Sequence, residues 1–171
     1  MSFNQNDQVL IQSYLTLELL HELDQNHFFQ SDYFKSLKFE DEFVKQSLPL
    51  IGIGNRGMVL ISLYTLLIIP KELLYETYPD EFAKLNENID GIKVSASSTY
   101  QSDINRIDFV RHIRNAVAHS RVEFVAGETV TFEDEFKGQT CSIVLPLDTF
   151  GDFVLELQKL FRKHLRTLKN K

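Results

Sequence analysis

At 171 residues the chain has the length of one domain, or of one domain with a small appendage. Hydrophobic residues make up 43% of it, with 14 Phe and no Trp, which excludes global disorder. The formal charge of −6 argues against a sequence-blind nucleic-acid coat protein, so any nucleic-acid contact has to come from a local basic patch.

The lone cysteine, Cys141, can form neither an internal disulfide nor a thiolate metal site, which fits a reducing cytoplasm. Met1 to Asp7 is polar and lacks a charged segment followed by an apolar one, so no signal peptide is expected. The longest uncharged apolar run, Gly57 to Ile69, is too short to span a bilayer and ends at Pro70. It reads as a buried helix.

The chain shows no internal repeat and no low-complexity tract. From about Asp7 to Phe28, Val9, Leu10, Leu17, Leu20 and Leu23 recur in a helical rhythm. Ser31 to Phe43 is polar and aromatic, a loop with a short helix. Pro49, Gly52, Gly54 and Gly57 form a break, and Met58 to Ile69 follows as a central helix. Pro70 suits the first turn of another helix or a kink, and Lys71 to Tyr78 continues to Pro79. Within Glu81 to Ile92 one short helix is expected before Gly91, and Ser95 to Thr99 reads as a mobile linker. Asp103 caps a helix running to about His119. Val122, Phe124, Val130, Phe132, Ile143 and Leu145 then alternate with polar neighbours. Ala126-Gly127 and Lys137-Gly138 mark turns, giving two or three short antiparallel strands that end at Pro146. Asp148 or Thr149 starts a last amphipathic helix through Phe153, Leu157, Leu160, Phe161 and Leu165. Its basic end, Arg162, Lys163, Arg166, Lys169 and Lys171, suits the helix macrodipole. The fold expected is mainly α: one domain over 1–171, an up-and-down helical bundle with a small antiparallel β-insert at about 121–146, between the last two long helices.

Arg114-Asn115-Ala116-Val117-Ala118-His119 is the most informative stretch. On a helical wheel Phe109, Val110, Ile113, Ala116 and Val117 gather on one face, and Asp108, Arg111, His112, Asn115 and His119 on the other. Asn115 and His119 lie one above the other. Arg114 sits at the edge of the apolar stripe, about 140° from His119 on an ideal helix. For both to reach one phosphate, the helix must fray at His119, Arg114 must bend across, or a second subunit must complete the site. Arg106, Arg111, Arg114 and Arg121, with His112 and His119, make this the most basic region outside the C-terminus. Arginine holds phosphate oxygens and histidine moves protons near neutral pH. The spacing alone also suits an arginine bonded to carbonyls and a histidine ending a helix; Asn115, the helical placement and the surrounding cations favour a site.

This stretch resembles the R-x4-6-H motif of the HEPN superfamily (higher eukaryotes and prokaryotes nucleotide-binding domains), in which a polar residue, often Asn, follows the arginine. Gly54-Asn55-Arg56-Gly57 with its apolar helix, and Arg121-Val122-Glu123-Phe124 opening the insert, resemble more loosely a plasmid- and phage-associated bacterial branch. The resemblance implies a metal-independent endoribonuclease of toxin or phage-defence type, working without a cofactor as a homodimer whose two motifs face each other. Arg114 would stabilise charge on the pentacoordinate phosphate. His119 would act as general base on the ribose 2′-hydroxyl or general acid on the leaving oxygen, and Asn115 would orient His119 or hold a phosphate oxygen. Arg111, His112 and Arg121 are candidate RNA-backbone contacts, though solvated positions suit them as well. An antitoxin or regulatory protein would be a separate chain. The alternative is a non-catalytic HEPN-like dimer that binds a protein or a nucleotide.

Other motifs carry less. Gly52-Ile53-Gly54-Asn55-Arg56-Gly57 matches a dinucleotide fingerprint literally, but Pro49 spoils the strand that must precede one, so the glycines read as a tight turn at a helix start. His21-Glu22 and His27 have the wrong spacing for a zinc helix, and no metal is expected. Cys141 has no evident base beside it, and Glu133-Asp134-Glu135 reads as a solvated strand face.

Overall fold

The computed structural model describes residues 5–125 and 127–169. Ala126 of the expected turn, Lys171 of the basic end and the first four residues lie outside the described residues. The chain divides into two compact units, 1–65 and 66–171.

The first unit is helical. α1 (Gln5–Gln25) buries Leu10, Tyr14 and Leu17, and a 3₁₀ turn (Phe28–Gln30) leads to the short α2 (Asp32–Ser36). Ser31 caps α2 by accepting from the Phe34 amide at 3.1 Å. Edge-on ring contacts tie Phe34 to Phe28, Phe29 and Phe39, so aromatic packing rather than aliphatic burial organises this corner. α3 (Glu42–Ile51) starts at Asp41, whose carboxylate accepts from the Phe43 and Val44 amides.

Within the expected break over Pro49, Gly52, Gly54 and Gly57, the helix ends at Gly52 and not at the proline. Pro49 sits in the last turn of α3, and the helix stops at Gly52, where φ is +69°. Asn55 then caps α4 (Arg56–Leu63) by accepting from the Met58 amide, and its side-chain amide donates back to the Gly52 carbonyl at 2.6 Å. The glycine-rich stretch is therefore a turn between two helices, as its reading as a tight turn requires. α4 passes into a π-helical segment (Tyr64–Ile68). No single helix among the described residues is long and apolar enough to cross a membrane; α3 and the 56–68 segment reach that composition only together, and they are bent by 88°.

The second unit holds α5 (Lys71–Thr77), α6 (Pro79–Ile92), β1 (Ser95–Ser98), α7 (Phe109–Ala118), β2 (Val122–Val125), β3 (Thr129–Phe136), β4 (Gln139–Pro146) and α8 (Leu147–Lys169). The architecture is mainly helical with a small antiparallel sheet in the order β1-β4-β3-β2, and the expected insert falls between α7 and α8. Ser95 to Thr99 is not a linker: Ser95 to Ser98 pair with Val144 to Cys141 and add an edge strand to the insert. α6 also runs through Gly91 to Ile92.

Lys137 and Gly138 both have positive φ, the conformation that a two-residue turn between β3 and β4 requires. The paired residues Val130 and Leu145, Phe132 and Ile143, and Asp134 and Cys141 share the buried face of the sheet. α7 packs on β3, β4 and α6, with Phe109, Val110, Ile113, Ala116 and Val117 buried, while α8 packs on β4 and α6 with Phe150, Phe153, Leu157 and Phe161 buried. Ile113 is fully buried, and truncating such a residue to Ala costs about 2–5 kcal/mol.

Candidate functional site

α7 carries the motif, and its start is fixed from two sides. The expected cap, Asp103, is not the cap. Asp108 takes that place, accepting from the Arg111 amide at 3.2 Å and from the Tyr75 hydroxyl at 3.0 Å. The side-chain oxygen of buried Asn86 on α6 accepts from the Val110 amide at 3.0 Å. Two free amides of the first turn are thus satisfied by side chains.

The other end closes in a Schellman motif. The Arg121 amide donates to the Ala116 carbonyl at 2.8 Å and the Ser120 amide to the Val117 carbonyl at 3.2 Å, with Ser120 at φ +55°. His119 is the C-cap residue, exposed, with non-helical backbone angles. Its amide still donates to the Asn115 carbonyl at 3.0 Å, so the helical track reaches His119 and the chain turns away at Ser120.

Behind the motif lies a buried polar network. His112 is 1% exposed; its Nδ1 lies 2.6 Å from Asp134 Oδ2 and its Nε2 lies 2.7 Å from Asp103 Oδ2. Arg111 Nη2 donates to Asp103 Oδ1 at 2.7 Å and to the Ser102 hydroxyl at 3.0 Å, and lies 2.9 Å from His112 Nε2. The Ser98 hydroxyl of β1 donates to Asp103 Oδ2 at 2.5 Å. The Tyr100 ring lies over His112 at 4.7 Å and under the Arg111 guanidinium at 5.6 Å. Two carboxylates, a guanidinium and an imidazole thus form one hydrogen-bonded cluster.

The carboxyl ionisations follow from these contacts. Burial pushes Asp103 up, but the Ser98 and His112 hydrogen bonds and the nearby charges of His112 and Arg111 hold it below the usual range. Burial likewise opposes Asp134, and bonds from Asn115 and His112 bring it down. Tyr100 is pushed up to about 12, first by burial and then by the charge and polar contact of neighbouring Asp134.

The network reaches the motif through Asn115. Its side-chain amide donates to Asp134 Oδ2 at 3.0 Å, and its oxygen accepts from Arg114 Nη2 at 3.2 Å. Arg114 is half-buried. Burial lowers its pKa, while the charge of Asp108 and the Tyr75 ring oppose that effect.

The wheel placed Arg111 and His112 on a solvated face, and here the structure differs. β3 and the 3₁₀ turn Gln101–Asp103 cover that side of α7. His112 is buried, with both ring nitrogens within hydrogen-bond distance of carboxylates. Arg111 is part-buried against Asp103. Arg121 is exposed, donates to the Glu135 carbonyl at 3.2 Å and pairs loosely with the Glu135 carboxylate at 3.9 Å. Glu133 and Glu135 are solvated as expected, but Asp134 between them is buried. Its alternation with Phe132 and Val130 was the available signal, because period two puts all three on one face.

Donor atoms of Asp103, His112 and Cys141 lie within 4.8 Å of one another, enough in principle to hold a metal ion. Arg111 already contacts the Asp103 carboxylate and His112 Nε2, so a metal would have to displace another cation. Burial pushes the Cys141 thiol up to about 12, leaving almost no thiolate at neutral pH.

No curated protein and no solved structure matches the chain. A family model does, the one described as HEPN pEK499 p136, and it matches residues 1–168. The chain therefore belongs to the HEPN pEK499 p136 family, the plasmid-associated branch of the HEPN superfamily.

Proposed function

We propose that the protein is a metal-independent endoribonuclease of toxin or phage-defence type, acting in the cytoplasm, with Arg114, Asn115 and His119 as its working residues. The family supports the reading, since HEPN domains are often ribonucleases. The observation that carries it is the placement of the motif in the last turns of α7. Arg114 is held part-buried by Asn115, while His119 stands exposed at the C-cap. A part-buried cation and a solvent-facing imidazole on one helix end suit a phosphate reached by both from one chain, or by one from each of two copies.

In this reading the 2′-oxygen of ribose attacks the adjacent phosphorus and its proton passes to a His119 imidazole. The bond to the 5′-oxygen breaks, and that oxygen takes a proton from a second, protonated imidazole (an imidazolium) supplied by a second copy of the chain, or from water. Products are a 2′,3′-cyclic phosphate and a 5′-hydroxyl. Arg114 neutralises the extra negative charge on the five-coordinate phosphorus. The cluster behind Asn115 supplies rigidity rather than chemistry. A homodimer with facing motifs, and an antitoxin chain that blocks them, are the partners this reading implies.

The test is product chemistry. Purified protein with a mixed RNA pool in excess EDTA is expected to yield fragments with cyclic phosphate ends. Fragments ending in 3′-hydroxyl, or cleavage abolished by EDTA, would refute the mechanism. Complete absence of cleavage, with no growth arrest on overproduction, would favour the non-catalytic dimer instead.

A further inference from the structure

The Asn115 carboxamide has two chemically distinct ends, a donor and an acceptor, and can present either to Arg114. Arg114 has only donors to offer, so it needs the oxygen. An ionised carboxylate has only acceptors, so whatever faces Asp134 must be the amide nitrogen. Asp134 Oδ2 sits 3.0 Å from that nitrogen and leaves the oxygen turned to Arg114 Nη2, at 3.2 Å. The same Oδ2 is held at 2.6 Å by His112 Nδ1, which Asp103 holds from the other side at 2.7 Å. Asp134 belongs to β3, within the insert, and Asn115 belongs to α7, so the link is tertiary.

We propose that Asp134 is a positioning residue of the ribonuclease site: it fixes the orientation of the Asn115 carboxamide and, through it, the Arg114 guanidinium. The proposal rests on the ribonuclease reading and extends it, making the β-insert a working part of the site. It also separates Glu133-Asp134-Glu135 into two roles, with the outer glutamates in solvent and the middle aspartate aimed at the motif.

The experiment is a double-mutant cycle on cleavage by Asp134→Ala and Asn115→Ala, with Asp134→Asn as the conservative variant. Asp134→Ala is expected to lower kcat about 100-fold, the size of loss that follows from a misplaced catalytic group. KM should change little, because Arg114 acts on charge that develops in the transition state. Adding Asn115→Ala to Asp134→Ala should cost nothing more, and Asp134→Asn, which keeps an acceptor oxygen, should recover part of the loss. If Asp134→Ala fails to fold, the cycle is run with Asp134→Asn. Heteronuclear NMR of the Asn115 side-chain amide, assigned by its loss in Asn115→Ala, supplies a readout independent of cleavage. One amide proton should be hydrogen-bonded and slow to exchange in the wild type, and should lose that protection in Asp134→Ala. Additive losses, or an unmoved resonance, would overturn the proposal. An intact NMR signature in a wild type that cleaves nothing would overturn the ribonuclease reading instead.

Discussion

His112 Nδ1 and Asp134 Oδ2 lie 2.6 Å apart, both buried, and join α7 to the strand that covers it. Removing Asp134 leaves His112 Nδ1 and the Asn115 side-chain amide without this acceptor, while Asp103 still holds His112 Nε2. Asp134→Ala is therefore expected to destabilise the fold by about 1–3 kcal/mol, the cost of a buried polar group left unsatisfied. Urea unfolding followed by circular dichroism measures this; a loss under about 1 kcal/mol would mean that the pair resembles an exposed one.

Acid should unfold the protein through Asp103 and Asp134. Both carboxyls are held below their ordinary values in the folded state, by hydrogen bonds that outweigh burial. Their contribution is thus fully present above the unfolded carboxylate value, about 3.9, and is lost as pH falls through the folded values. Stability should fall steeply below about pH 4, and the fall should be shallower in Asp103→Asn with Asp134→Asn. Parallel profiles for wild type and variant would contradict the assignment.

Ser120 occupies the left-handed position of the Schellman motif at φ +55° without being glycine. Ser120→Gly removes the Cβ strain and should raise stability by about 1 kcal/mol. Thermal melts read the change; a lower melting temperature would show that the serine side chain contributes more than its strain costs.

Cys141 should be inert in the native protein. Its thiol is buried and pushed up to about 12, so a disulfide reagent at mildly alkaline pH should react only as fast as the protein opens. Immediate, complete labelling without denaturant would contradict the burial of β4 against the helices.

Much of this was legible in the sequence, and the gaps share one cause. The apolar stripe of α7, the Lys137-Gly138 turn and the helical rhythm of α8 are local patterns, and they appear where the chain places them. His112 was not legible, because the wheel sees only its own helix and cannot show that β3 folds over the polar face. Asp103 looked like a cap because caps and buried ion-pair partners draw on the same residue types; the choice between them depends on His112 and Ser98, contacts of the folded state. Ser95 to Ser98 has weak strand propensity and became a strand because β4 offers it an open edge. The break over Pro49 to Gly57 is legible, but α3 continues through Pro49 and stops at Gly52.

The central claim is that His119 moves the proton in RNA cleavage. Cleavage rates of wild type and His119→Ala, measured under single-turnover conditions on one RNA in EDTA, test it most directly. The rate should fall at least about 100-fold in the variant, the lower end of what a positioned histidine contributes. Equal rates would remove His119 from the chemistry and with it the mechanism proposed for this chain.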